Sequence, residues 1–235
     1  VYESSDNSWT GAVSSEWDNI NNWAISSVPT NSDVLGIPDR PNDPVISSDA
    51  EAKSISIRTD VEVTVNSEWS LQVEESIFND GRIIFKSDDS GMATSTSGQL
   101  GQFGASGEIR GSGDVLVERY VPDDNRAFRY ISSPVNTTGT INDNLQEGVN
   151  NPDQNTNNDP NPGFGTHITG DANGNDGFDA TSTGNNSMFE WDEAGQQWNG
   201  IPNTDTKQMN VGEAYALMVR GSRATTLNSN TAVGP

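Results

Sequence analysis

Between Asp33 and Phe85 the apolar residues come in short alternating bursts: Ile55 and Ile57, then Val61, Val63 and Val65, then Leu71 and Val73, then Ile83 and Phe85. Each burst has period two and is broken by Asp, Asn, Ser or Gly, which predicts short strands joined by turns and leaves no stretch for a helix. The bursts also recur at longer range. Ile37, Ile55 and Val73 stand 18 residues apart, as do Val45 and Val63. A repeat of that length predicts the rungs of a β-solenoid, where each coil buries its inward residues only by stacking on its neighbours. An antiparallel meander has the same alternation and is the alternative, although among these breaks only Asn79-Asp80-Gly81 carries the signature of a tight hairpin.

The flanks differ. Residues 1–32 hold Trp9, Trp17 and Trp23 among Asn, Ser and Asp. Their spacings fit no helix face, and they predict a loop-rich cap whose indoles cover the open end of a β-structure. An exposed aromatic platform for sugar is the other reading. From Ser87 to Gly113 the chain is rich in Gly and Ser, with Gly98, Gly101, Gly104, Gly107, Gly111 and Gly113 set around Leu100, Phe103 and Ile109. No helix-forming run and no Lys-Ser or Lys-Thr follows, so these glycines are expected at tight corners of further coils rather than in a phosphate loop. The predicted solenoid therefore covers 33–113.

From Asp114 the apolar runs lengthen. Strands are predicted at Val115–Pro122, Arg126–Val135, Ser187–Trp191, Gln197–Asn199 and Ala214–Val219, which makes residues 114–235 a second all-β domain, most economically a β-sandwich. A long Asn-, Asp- and Gly-rich loop, 142–186, interrupts it, and loops of that length are functional or disordered. The ending at Val233-Gly234-Pro235 reads as an open linker within a longer polypeptide. The expected fold is all-β throughout: a short β-solenoid, parallel β-helix-like, followed by a β-sandwich.

Charge narrows the partners. The 235 residues carry 34 acidic and 12 basic side chains, a net charge of −22, which argues against an electrostatic grip on nucleic acid or on acidic lipid. Such a surface attracts cations, calcium among them. There is no cysteine, so disulfides, thiolate metal sites and cysteine nucleophiles are excluded. No apolar run reaches the roughly 20 residues that a membrane-spanning helix needs.

The segment Asp171-Ala172-Asn173-Gly174-Asn175-Asp176-Gly177-Phe178-Asp179 places oxygen side chains at alternate positions with glycines between. That pattern suits the six to eight oxygen ligands of Ca²⁺, and Asp171, Asn173, Asn175, Asp176 and Asp179 are the candidate ligands. It is not an EF-hand, because Ser182 stands where the twelfth-place carboxylate belongs. Asp153, Asn155, Asn157 and Asp159 repeat the alternation more weakly. A solvated acidic turn explains both stretches equally. Trp191 and Trp198 flank Asp192-Glu193-Ala194-Gly195 and predict a hairpin. Turned inward they are core, and turned outward they are the candidates for stacking on a carbohydrate ligand. Arg119, Arg126, Arg129, Arg220 and Arg223 either pair with neighbouring acids or line a pocket for an anion.

Catalysis has little support in these residues. The one imidazole, His167, would have to serve any Ser-His-Asp triad, and no Gly-x-Ser-x-Gly elbow is present. His167 reads as a packed or hydrogen-bonded strand residue. A pair of carboxylates suffices for glycoside hydrolysis, so composition alone leaves that chemistry open.

Taken in order, Trp9-Thr10-Gly11, Trp17-Asp18, Asn22-Trp23, Val28-Pro29, Asn79-Asp80-Gly81, Glu118-Arg119-Tyr120, Arg129-Tyr130-Ile131-Ser132-Ser133-Pro134-Val135 and Gly212-Glu213-Ala214-Tyr215 with Val219-Arg220-Gly221-Ser222-Arg223 resemble large surface proteins of Bacteroidota. Those proteins are exported by the type IX secretion system. The resemblance implies an extracellular, cell-surface location, an adhesin-like or scaffold role, contact with that secretion machinery and further domains of the same polypeptide, including a sorting domain. It supplies no catalytic residues. The expected function is a non-catalytic module for adhesion or display at the cell surface, binding a glycan or protein ligand and stabilised by calcium. The alternatives are a carbohydrate-binding module of a secreted polysaccharide-degrading protein, or a structural stalk or filament subunit.

Overall fold

The computed structural model describes residues 5–88, 96–121, 127–146, 148 and 166–219, and divides into two compact units, Val1–Tyr120 and Val121–Pro235. Both are built from strands, so the protein is all-β, with one short α-helix and one 3₁₀ turn among the described residues.

In the first unit the strands are β1 (Asn7–Ser8), β2 (Val34–Ile37), β3 (Val45–Ile46), β4 (Ala50–Ala52), β5 (Ser54–Ile57), β6 (Glu62–Val65), β7 (Ser70–Val73), β8 (Ser76–Asn79), β9 (Arg82–Phe85), β10 (Ser87–Asp88), β11 (Thr96–Ser97), β12 (Gln99–Leu100), β13 (Glu108–Arg110) and β14 (Asp114–Val117). They form three parallel sheets, ordered β1-β2-β5-β8-β13, β14-β9-β6-β3 and β12-β7-β4, beside an antiparallel β10–β11 pair. Chain order visits the three sheets in turn, which is the path of a β-solenoid and rules out the meander. Inward residues stack rung upon rung, Leu35 on Ile55 on Ile77 on Ile109, and Val63 on Ile83 on Val115. Ile55, Ile57, Val63 and Val73 all lie buried in one core. Each such side chain stabilises the coil by about 1.5–3 kcal/mol.

The rung length differs from the predicted 18 residues. Leu35 to Ile55 is 20, Ile55 to Ile77 is 22, and Ile77 to Ile109 is 32 because β10, β11 and the chain between them are inserted there. Ile37 therefore pairs with Ile57, not Ile55, and Val45 with Thr64, not Val63. All these spacings on the first sheet are even. With a side-chain period of two, an even slip leaves the same residues pointing inward, so alternation alone does not separate 18 from 20.

Asn79-Asp80-Gly81 makes a corner between rungs instead of a hairpin. β8 and β9 belong to different sheets, and a Cβ on Gly81 would stand 2.3 Å from the Val61 carbonyl of the rung beside it. The glycines after Ser97 serve the same purpose: at Gly107 a Cβ would meet the Glu75 carbonyl at 2.2 Å, and at Gly111 the Asn79 carbonyl at 2.1 Å.

The tryptophan segment is an incomplete first coil. Trp9 N–H donates to the Gly36 carbonyl, Trp17 N–H to that of Val45, and Glu16 bridges Val45 in parallel, so the chain lies along β2 and β3. Its interior is filled by the three indoles, at most 2% exposed, with ring centroids 4.8–6.4 Å apart. Asn22, fully buried, ties the loop by accepting from Val13 N and Ser14 N and donating to the Glu16 carbonyl. Trp9, Trp17 and Trp23 thus share the core of the solenoid rather than forming a separate layer.

The boundary after residue 113 also moves. β14 pairs in parallel with β9, and Val115 and Val117 pack on the solenoid core, so the first unit continues to Tyr120. The long apolar run resembled a sandwich strand, but it is the final rung.

The second unit holds β15 (Phe128–Ile131), α1 (Ile141–Leu145), β16 (Thr169–Asp171), β17 (Asp179–Ala180), β18 (Met188–Asp192), β19 (Gln197–Gly200) and β20 (Tyr215–Met218). Four of these make an antiparallel sheet in the order β15-β20-β18-β19. Among the described residues no full second sheet of a sandwich faces this one: its inner face packs on α1, Ile168, Phe178, Ile201 and Met209, with β16 and β17 as a two-stranded parallel ladder. α1 starts at a capping box, Thr140 Oγ1 accepting from Asp143 N while the Asp143 carboxylate accepts from Thr140 N.

Candidate binding face

In an antiparallel sheet, residues directly opposite one another share a face. Register places Met188, Leu217, Tyr215 and Ile131 on the inner face, where the first three are at most 2% exposed. By the same register Phe128, Tyr130, Ala216, Met218, Phe189, Trp191 and Trp198 fall on the outer face. Five aromatic rings therefore share a surface that no described element covers. Tyr130 is 73% exposed, Phe128 44% and Trp198 37%.

The rings are organised. Tyr130, from edge strand β15, stacks on Trp198, from edge strand β19, with centroids 5.5 Å apart and planes at 24°. Trp191, opposite Trp198 on the hairpin, meets it edge-on at 5.3 Å. Phe128 and Phe189 make a second edge-on pair at 5.8 Å. Ala216 and Gly200 lie in the row of Tyr130 and Phe189 and leave room for large rings to reach across. Contiguous exposed aromatic surface of this kind marks a contact site.

Polar groups rim the Trp191 end. Trp191 Nε1 donates to Glu193 Oε2 at 2.7 Å. The β18–β19 turn is held by Asp192, whose Oδ1 accepts from Gly195 N at 2.9 Å and whose Oδ2 accepts from Asn199 Nδ2 at 3.4 Å. The Gly195 N–H, chiefly, holds the Asp192 carboxyl below its ordinary range. On the inner side, the ion pair of Lys207 with Glu190 raises the lysine, and burial raises the Tyr215 hydroxyl.

The predicted hairpin at Trp191 and Trp198 is present, with both rings on the outer face. Phe128, Tyr130 and Phe189 were not singled out from sequence. The signal was available, since Phe128 and Tyr130, like Phe189 and Trp191, are two apart and so share a side. The Tyr-Ala-Leu-Met run of β20, the strand between β15 and β18, is also apolar on both faces.

The acidic loop is ordered differently from the expectation. Asp171 Oδ1 accepts from Asn173 N at 2.6 Å and from Asn175 N and Nδ2, and the Asn173 N–H, chiefly, lowers its carboxyl. Asp176 accepts from Asn203 Nδ2 at 3.1 Å. Asp179, fully buried, turns inward, with Oδ2 2.6 Å from His167 Nδ1. Phe178 enters the core, and the Gly177 carbonyl is clamped by the buried amides of Asn142 and Gln146 at 2.8 and 2.7 Å. Among the described residues no three Asp, Glu or His side chains gather as a metal group; Asp171, Asp176 and Asp179 make separate contacts, and Asn173 and Asn175 are exposed. Asp153, Asn155, Asn157 and Asp159 lie outside the described residues, as do Arg126, Arg220 and Arg223. Arg119 belongs to the first unit and Arg129 to the second.

His167 sits just ahead of β16 with 1% of its side chain exposed, and its Nε2 has no hydrogen-bond partner among the described residues. No described helix is long and apolar enough to cross a membrane.

Fold and surface together define an all-β protein in which a capped parallel solenoid precedes an antiparallel sheet with an open aromatic face. The chain belongs to the family described as a domain of unknown function (DUF8693), whose model matches residues 8–157. That match takes in the tryptophan cap, the solenoid, Phe128 and Tyr130, and ends before the Trp191–Trp198 hairpin. No curated protein and no solved structure is significantly similar to the chain.

Proposed function

We propose that this chain is a non-catalytic, extracellular binding module of a large bacterial surface protein, and that its aromatic face holds a glycan. One observation carries the reading: the exposed stack of Tyr130 on Trp198 with Trp191 edge-on beside it. Sugar rings present flat C–H faces that pack on aromatic rings, while their hydroxyls donate to nearby carboxylates in charge-assisted hydrogen bonds. A solenoid in the same chain serves as a spacer in such a protein. The resemblance to surface proteins exported by the type IX system supports the location and further domains in the same polypeptide. The burial of His167 against Asp179 removes the one imidazole from contact with a substrate, which supports a binding role over imidazole-dependent catalysis. The test is binding to a panel of immobilised polysaccharides by the native protein and by Trp198→Ala. Binding that is lost in the variant, with its melting temperature retained, supports the proposal. A native protein that binds no member overturns it.

A stalk or filament role is favoured by a different observation. β12, β13 and β14 each end their sheet, and Leu116 on the last rung is 44% exposed. Open edges of this sort pair with other strands. Concentration-dependent assembly in light scattering, lost on Leu116→Lys, would favour that role.

A further inference from the structure

We infer that the aromatic face selects uncharged glycans and rejects those bearing carboxylate or sulfate groups, an inference that rests on the glycan reading above. The Trp191 end of the face carries a fixed negative charge. Glu193 is tied to the Trp191 indole at 2.7 Å, which sets a carboxylate beside the ring that packs on Trp198. Asp192 anchors the same turn through Gly195 and Asn199 from the inner row of the sheet, so Glu193 is the acid that faces the rings.

Among the described residues no cation on this face offsets Glu193. Among the described residues of the second unit the cationic side chains are Lys207 and Arg129. Lys207 is ion-paired with Glu190, and Arg129 stands opposite Leu217, on the inner side of the sheet. A neutral sugar approaching the rings donates its hydroxyls to Glu193, whereas a uronate or sulfate meets like charge with no cation among the described residues of that face to receive it. One exposed like-charge contact weakens binding roughly fivefold, and a polyanion makes several. Short-range charge repulsion of this kind is screened at molar salt, where the Debye length falls to about 3 Å.

The experiment compares polysaccharides in matched neutral and C6-oxidised, uronate-bearing forms, immobilised and probed with the native protein, Glu193→Gln and Trp198→Ala. Gln keeps an oxygen to accept from the Trp191 indole while removing the charge. The expected result is that the native protein favours the neutral form at least roughly fivefold, and that this ratio narrows both at molar salt and in Glu193→Gln. Equal binding of the two forms, lost together in Trp198→Ala, overturns the charge selection and leaves the glycan reading standing. Binding to neither form by the native protein overturns the glycan reading and this inference with it.

Discussion

Tyr130 and Trp198 belong to opposite edge strands of a four-stranded sheet, yet their rings stack at 5.5 Å across it. The contact depends on what lies between. Ala216 stands opposite both Tyr130 and Phe189 on the same face and is only 5% exposed. Ala216→Leu is therefore expected to part the rings without deleting either, at a cost of about 1–3 kcal/mol in stability. Near-ultraviolet circular dichroism reads the stack directly. An unchanged aromatic spectrum in this variant would mean that the stack does not depend on a small residue there.

The cap gives the largest expected loss from a single truncation. Trp17 is 1% exposed, stacks on Trp9 and meets Trp23 edge-on at 4.8 Å, while its backbone carbonyl accepts from Trp23 Nε1 at 2.7 Å. Trp17→Ala empties the first coil and is expected to cost about 3–5 kcal/mol in chemical denaturation. A loss under about 1 kcal/mol would show that the first full rung closes itself.

Two glycines separate steric closeness from backbone strain. Gly111 has φ +114° and a Cβ there would lie 2.1 Å from the Asn79 carbonyl, whereas Gly212 has φ +76° with nothing within 4 Å. Gly212→Ala is expected to cost about 1 kcal/mol, from conformation alone. Gly111→Ala is expected to cost about 2–4 kcal/mol, because the last rung must also move off its neighbour. Equal losses in denaturant melts would remove the rung-contact explanation.

What was legible from sequence follows from what alternation encodes. Period two in Ile55, Ile57, Val63 and Val65 announces an inward and an outward side, so the solenoid and its core could be read. Rung length could not, because it depends on corner lengths, which the polar residues of a corner do not fix. The edge of the solenoid was missed because Val115-Leu116-Val117 looks alike whether it pairs with β9 or starts a new sheet. Trp191 and Trp198 could be placed on one hairpin by the turn between them. Tyr130 joins them only through β20, a long-range pairing that no local pattern in its own strand declares.

Acid should loosen the β18–β19 turn. The Asp192 carboxyl is held below the ordinary aspartate value of 3.8, first by the Gly195 N–H. A carboxyl whose folded value is depressed contributes its stability above the unfolded value and loses it as pH falls through the folded one. Amide exchange at Gly195, compared with the turn of Asp192→Asn, is therefore expected to show protection above pH 3.8 that fades below it in the native protein and to show little pH dependence in the variant. Protection at Gly195 that persists through the acid range would separate the turn from this carboxylate.

The acidic loop is held by buried contacts, so its order does not require an ion. Asp179 contacts His167 at 2.6 Å with both side chains shielded from water, Phe178 fills the core, and the Asn142 and Gln146 amides take the Gly177 carbonyl. These groups supply the order that an ion would otherwise bring. Asp179→Ala leaves the His167 ring nitrogen without its partner in a buried site, an expected loss of about 1–3 kcal/mol. A bound ion would instead stabilise by RT ln(1 + [L]/Kd), about 2.7 kcal/mol at a hundredfold excess over Kd. Melting of the native protein in calcium and in chelator is expected to coincide, while Asp179→Ala melts lower in both. A native melting temperature that rises with calcium, alongside a measurable heat of binding, would show that the carboxylates of this loop turn outward to meet the ion.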